Sequence, residues 1–304
     1  MKNTPSPHIL MCRPEHFGVL YTINPWMDPS GWERDERKLA AASHSQWMAL
    51  RKTLRNLGAR IELVPPVPGV PDLVFTANAA VVMDRKALLA RFRHPQRRAE
   101  ENHLAAAFHS LRARGILDDI VTLPDDVTLE GAGDCVFDRT RNLFWLGYGP
   151  RSDAAAANTV KDVFGLDVVS LELIDPRFYH MDTALSALPR GEIMYVPGAF
   201  TAEGRAAIAA RVPASQRIEI AEDDAVQLCA NAICLGDTLV MSACSEHLRA
   251  QLAERGYRVV TTPLTSFLRS GGSAFCLTLR LDLTSAQSAS RSNPELPAAT
   301  AIRR

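Results

Sequence analysis

Residues 32–64, WERDERKLAAASHSQWMALRKTLRNLGARIELV, set one helical pattern directly before one strand pattern. Leu39, Trp47, Leu50, Leu54 and Leu57 fall roughly on one face at helical spacing, and Gly58 follows as a stop. The spacing predicts a helix over 32–57. Residues 59–64 then alternate apolar and polar as a half-buried strand does, and a proline-rich turn over 65–71 ends the unit. The same cadence returns downstream. Helices are predicted at 96–111, 154–164, 202–211 and 245–254, followed by extended segments at 118–123, 167–171, 217–220 and 257–261. Short apolar runs at 79–83, 143–146, 193–196 and 238–241 lie between these pairs. Strands plus one helix therefore recur about every 50–60 residues without recurrence of the residues themselves, which calls for an α/β repeat architecture.

Composition bounds the rest. The chain has 304 residues, 47% hydrophobic and 22% charged, with 34 basic and 34 acidic side chains. That is a globular composition with ample core, and the balanced charge argues against a nucleic-acid binder, which needs a cationic face. The first ten residues lack the apolar run of a signal peptide, and no segment reaches the roughly 18–20 apolar residues of a membrane span. Six cysteines are scattered without a Cys-x-x-Cys pair, and His-Glu-x-x-His is absent. Reduced thiols, a cytoplasmic location and no metal site are expected. Residues 285–304, rich in Ser, Ala, Pro and Asn, are expected to be a disordered tail beyond a single domain over 1–284.

Three segments carry chemistry. Gly271-Gly-Ser-Ala-Phe-Cys-Leu-Thr278 delivers Cys276 from a small-residue loop at the start of an apolar run, 275–281, that reads as a strand. Glycines permit close substrate approach there, and a strand would hold the sulfur rigidly. Phe178-Tyr-His-Met-Asp182 and Leu129-Glu-Gly-Ala-Gly-Asp134 supply a histidine and carboxylates. A cysteine, a histidine and a carboxylate are the parts of covalent thiol catalysis. The Gly-Ala-Gly itself lacks the third glycine of a dinucleotide-binding turn.

With Leu10-Met-Cys-Arg-Pro14, Tyr21-Thr-Ile-Asn-Pro-Trp-Met27 and Pro71-Asp-Leu-Val-Phe-Thr-Ala-Asn78, these segments resemble the guanidine-modifying, or pentein, superfamily over about residues 8–282. The similarity is greatest to its arginine dihydrolase branch. The resemblance implies a five-bladed α/β propeller with pseudo-fivefold symmetry and a site on its axis. It also implies a cofactor-free hydrolase of arginine or a close guanidino analogue, and a homo-oligomer. A citrulline-forming deiminase or dimethylargininase, an amidinotransferase and a non-catalytic arginine-binding propeller are the alternatives.

The implied roles follow guanidinium chemistry. A planar cation needs carboxylates to hold its N–H fork, a nucleophile for the central carbon and an acid for departing ammonia. Asp72 and Asp182 are expected to grip the guanidinium, Glu130 to serve as carboxylate and proton shuttle, and His180 to act as general acid and base. Cys276 attacks as thiolate. By the resemblance, Arg97 and Arg151 hold the α-carboxylate, and Asn24 adds polar contacts. Asn78 is the discriminating residue: many relatives, deiminases and dimethylargininases among them, have aspartate there. A neutral amide can retain a neutral ureido group for a second attack, leading to ornithine, carbon dioxide and two ammonia.

Overall fold

The computed structural model describes residues 6–291. Its strands are β1 (His8–Cys12), β2 (Arg60–Val64), β3 (Ala80–Met83), β4 (Lys86–Leu89), β5 (Asp119–Val121), β6 (Cys135–Asp138), β7 (Leu143–Tyr148) and β8 (Asp167–Glu172). They continue with β9 (Leu185–Ala187), β10 (Ile193–Tyr195), β11 (Arg217–Glu219), β12 (Ile233–Leu235), β13 (Thr238–Met241), β14 (Arg258–Thr261) and β15 (Leu279–Arg280). They form five three-stranded sheets, β15-β1-β2, β3-β4-β5, β6-β7-β8, β9-β10-β11 and β12-β13-β14. In each, the middle strand pairs antiparallel with one neighbour and parallel with the other. A helix makes each parallel crossover, as that pairing requires. The fold is α/β, with one module repeated five times.

The predicted cadence holds with small shifts. The crossover helices are Glu36–Asn56, Pro95–Ala113, Ala156–Phe164, Ala202–Arg211 and Glu246–Glu254. Trp47, Leu50 and Leu54 are buried on the first of them. The single helix expected over 32–57 is instead two: Pro29–Arg34 ends at Asp35, whose φ of −125° leaves the helical region. The strand expected over 275–281 also shrinks to β15, because residues 274–277 form a turn. The tail expected to be disordered from 285 begins with an ordered helix, Ala286–Arg291. Ser285 anchors it, bonding Asp84 through its N and Oγ and accepting from Ser288 N. The rest of that tail, 292–304, lies outside the described residues. Among the described residues no helix is long and apolar enough to cross a membrane.

Each sheet's first antiparallel strand follows a short turn, and these turns meet. Thr76–Ala79 precedes β3, Gly131–Asp134 precedes β6 and Met181–Ala184 precedes β9. Turns at 226–230 and 274–277 precede β12 and β15. Hydrogen bonds pass from each turn region to the next: Asn78 Nδ2 to Glu130 O, Met181 N to Asp134 Oδ1, Asn231 Nδ2 to Asp182 O and Cys276 N to Asn231 Oδ1. Ala77 N then donates to Cys276 O at 3.1 Å and returns the circuit to the first turn.

Candidate active site

Cys276 stands in the last of those turns, 2% exposed. Its thiol donates to Asp182 Oδ2 at 3.2 Å, and Asn231 Nδ2 donates to its sulfur at 3.0 Å. Burial pushes the thiol pKa well above its ordinary value, and the Asp182 charge adds to that. The free site therefore favours the neutral thiol, because burial and the Asp182 charge both penalise the thiolate. The glycines ahead of it serve packing. A Cβ on Gly272 would lie 2.3 Å from the Phe75 ring, so only glycine lets that ring close over the turn.

His180 precedes Met181–Ala184 in extended conformation, and its Nε2 lies 2.7 Å from Glu130 Oε2. Burial lowers the His180 pKa to about 4, outweighing the support from Glu130. Burial would raise the Glu130 pKa, but Arg151, His180 and Arg97 overcome it and hold the carboxyl well below its usual range. At neutral pH the pair is thus a neutral imidazole donating Nε2–H to an ionised carboxylate, with Nδ1 unprotonated. Glu130 also accepts from Arg151 Nη1 at 3.0 Å and from Arg93 N.

One small pocket gathers Asn24, Asp72, Asn78, Arg97, Arg151, His180 and Cys276, with Phe75 and Tyr179. Glu130 and Asp182 lie behind this lining, bonded to His180 and Cys276. Asp72 accepts from Tyr21 Oη at 2.7 Å and from Ser270 Oγ. Asn24 ties down its own turn, accepting from Trp26 N and donating to Ser270 O. Arg151 donates to Ile23 O and stacks over Tyr179. Arg97 is engaged on all sides, with two bonds to Glu100, one to Asp72 O and one from Nη1 to Asn78 Oδ1 at 2.9 Å. With its Nδ2 on Glu130 O, the Asn78 amide has one possible orientation.

A larger cavity of about 620 Å³ is walled by Val82, Val136, Leu185, Ile233 and Leu279, one from each sheet. Of the nine candidate residues only Asp182 reaches it, so the convergent chemistry belongs to the smaller pocket.

Sequence reasoning missed Asn231, Asp134 and Glu100. Asp134 accepts from Ser152 Oγ at 2.6 Å and from Met181 N, holding the His180 turn. Glu100 neutralises Arg97. Asn231 touches the Cys276 sulfur, and one signal pointed to it. Ala230-Asn-Ala232 repeats Ala77-Asn-Ala79, and each asparagine stands two residues before the first strand of its sheet.

Residues 13–283 match the family described as N,N dimethylarginine dimethylhydrolase, eukaryotic. The chain is 41% identical over 273 residues to the bifunctional arginine dihydrolase/ornithine cyclodeaminase ArgZ of Synechocystis sp., covering 90% of this chain and 37% of that protein. It is 36% identical over 271 residues to N(G),N(G)-dimethylarginine dimethylaminohydrolase of Mycobacterium tuberculosis, covering 89% of this chain and 84% of the relative. The chain thus spans 37% of the length of ArgZ and likewise of AgrE from Nostoc sp.. The crystal structure of the substrate-bound N-terminal domain of ArgZ, an arginine dihydrolase from cyanobacteria, matches with a TM-score of 0.84 at 40% identity, over 91% of this chain and 99% of that one. With nearly its whole described length matched by one family and by relatives of that identity, the chain belongs to the N,N dimethylarginine dimethylhydrolase family.

Proposed function

We propose that this chain is an arginine dihydrolase, a thiol hydrolase that takes arginine and two waters to ornithine, carbon dioxide and two ammonia. The carrying observation is Asn78: a neutral amide, fixed in orientation by Arg97 and Glu130, where the superfamily resemblance implies aspartate for deiminases and dimethylargininases. Similarity to arginine dihydrolases at about two-fifths identity supports the same reading.

Guanidinium binds between Asp72 and Asp182, and its charge stabilises the Cys276 thiolate as the thiol proton passes to the unprotonated nitrogen of His180. The thiolate attacks the central carbon. The C–N bond to a terminal nitrogen breaks, and ammonia departs with a proton passed through His180. Water deprotonated by His180, with Glu130 beside it, splits the amidino-thioether to give bound citrulline. Asn78 keeps the neutral ureido group in place for a second attack by Cys276. This time the C–Nε bond breaks, ornithine leaves protonated, and hydrolysis of the S-carbamoyl group gives carbamate, which decays to carbon dioxide and ammonia. Arg151, at the pocket's outer edge, takes the α-carboxylate. Arg97, engaged with Glu100, holds Asn78 and shares that role only through its remaining Nη1 hydrogen.

We read the five sheets as blades of a propeller, with the circuit of turns marking its axis. Cytoplasmic location and self-association belong to the same reading, and gel filtration with light scattering tests the latter. The function is tested by counting products from purified protein with arginine. Ornithine with two equivalents of ammonia, lost in Cys276→Ser, supports it. Citrulline with one equivalent defeats the dihydrolase reading. Turnover of dimethylarginine alone would instead align the chain with its mycobacterial relative.

A further inference from the structure

Cys276 lies between a hydrogen-bond donor and an acceptor, and only the acceptor is free to change partners. Asp182 Oδ2 receives the thiol hydrogen. Asn231 gives a hydrogen to the sulfur, and its amide cannot flip. Oδ1 accepts from Cys276 N at 3.1 Å, and Nδ2 donates to Asp182 O at 3.1 Å. A rotated amide would set its NH2 against an N–H and its oxygen against a carbonyl, breaking both bonds. The backbone adds a third tie, from Phe275 N to Asn231 O, and the residue is 1% exposed.

We infer that Asn231 is a positioning residue for thiolate chemistry, a permanent donor that holds the Cys276 sulfur and stabilises it once ionised. The inference rests on the hydrolase reading above and deepens it. A donor to the charged form favours ionisation, whereas the Asp182 oxygen favours the protonated thiol. When a cationic substrate engages Asp182, the acceptor is drawn away and the Asn231 donor stays. Asn231 thereby sets both the sulfur's direction, through the Cys276 backbone, and the charge state it can reach.

The test compares the wild type with Asn231→Ala and the near-isosteric Asn231→Asp. Alkylation of Cys276 by iodoacetamide is followed across pH by mass spectrometry of its peptide, with melting temperatures and arginine kinetics alongside. Loss of one fixed donor to a developing anion lowers rates about a hundredfold. The expected result is that fall in kcat with KM within threefold. The Cys276 alkylation profile moves to higher pH, furthest in Asn231→Asp, where a carboxylate replaces the donor. An alkylation profile that superposes on wild type in Asn231→Asp overturns the inference. So does a kcat loss that only follows melting temperature. Alkylation does not need arginine to be the substrate, so failure here is distinguishable from failure of the proposed activity.

Discussion

Asp182 offers Oδ2 to the Cys276 thiol at 3.2 Å while its other oxygen, equally buried, has no hydrogen-bond partner among the described residues. Burial raises the Asp182 pKa to about 7. A carboxyl in that state beside a high-pKa thiol suits a cation that has yet to arrive, since one positive charge ionises both groups. Alkylation should therefore depend on reagent charge. A cationic haloacetamidine is expected to modify Cys276 at pH 7 at least a hundredfold faster than neutral iodoacetamide. Equal rates, corrected for each reagent's reaction with a free thiol, would remove the substrate's charge from the mechanism.

The same carboxyl makes stability depend on pH in a defined sense. Its folded pKa of about 7 lies above the roughly 3.9 of an unfolded aspartate. Its stabilising contribution is complete below about pH 4 and is lost as pH rises through about 7. Asp182→Asn is expected to lose less melting temperature than wild type between pH 5.5 and 8.5. Glu100, also raised to about 7 by burial, titrates in both proteins, so the difference isolates Asp182. Parallel melting curves would contradict the assignment.

Glu130 is the shared counter-charge of Arg151 and Arg97 and the hydrogen-bond acceptor of His180. Glu130→Gln strands buried positive charge, a change that costs about 3–5 kcal/mol. It also withdraws the carboxylate that supports protonation of His180, whose pKa falls further below about 4. Urea unfolding should report that loss of stability, and kcat should drop by about a thousandfold or more. A variant as stable as wild type would mean that another group compensates the arginines.

Gly133 tests the packing around Asn78 without removing a polar group. A Cβ there would lie 2.1 Å from Asn78 Nδ2, although the backbone accepts alanine. Gly133→Ala is expected to lose about 1–3 kcal/mol by overpacking and to turn the amide away from Glu130 O. Arginine turnover should fall at least tenfold. Unchanged turnover would show that the amide's orientation is not critical.

Asn78→Asp keeps the Arg97 contact but sets an oxygen where Nδ2 met the Glu130 carbonyl. It is expected to release citrulline with one ammonia, as the ureido group is no longer retained. Ornithine as the continuing product, measured by amino-acid analysis, would detach the second round from Asn78.

Much of this was legible in the chain because helices and strands have local periods. Trp47, Leu50 and Leu54 announced a packed face, and Thr238–Met241 an interior strand. Some of the first antiparallel strands were harder to see. β9 and β12 have three residues each, too few for alternation to register. The glycine loop before Cys276 drew attention to that thiol, but the apolar run after it read as a strand where the chain makes a turn. That turn is tied from Cys276 N to an asparagine 45 positions away, a partner no local pattern reveals. Glu100 and Asp134 were opaque for the same reason: one reads as a helix-surface charge and the other as the end of a glycine turn. Their meaning comes from Arg97 and from the His180 turn, contacts that only folding makes.

The pairing of β1 with β15 gives this protein a clock. Of these two strands β1 leaves the ribosome first, and it waits for its antiparallel neighbour while the four sheets between them are made. At ordinary synthesis speeds that wait is roughly 15–50 s. Cys276 emerges three residues ahead of β15, after every other residue of the pocket. The Cys276 sulfur therefore reaches its neighbours in the same moment that the first sheet is completed, and no shorter nascent chain assembles the pocket.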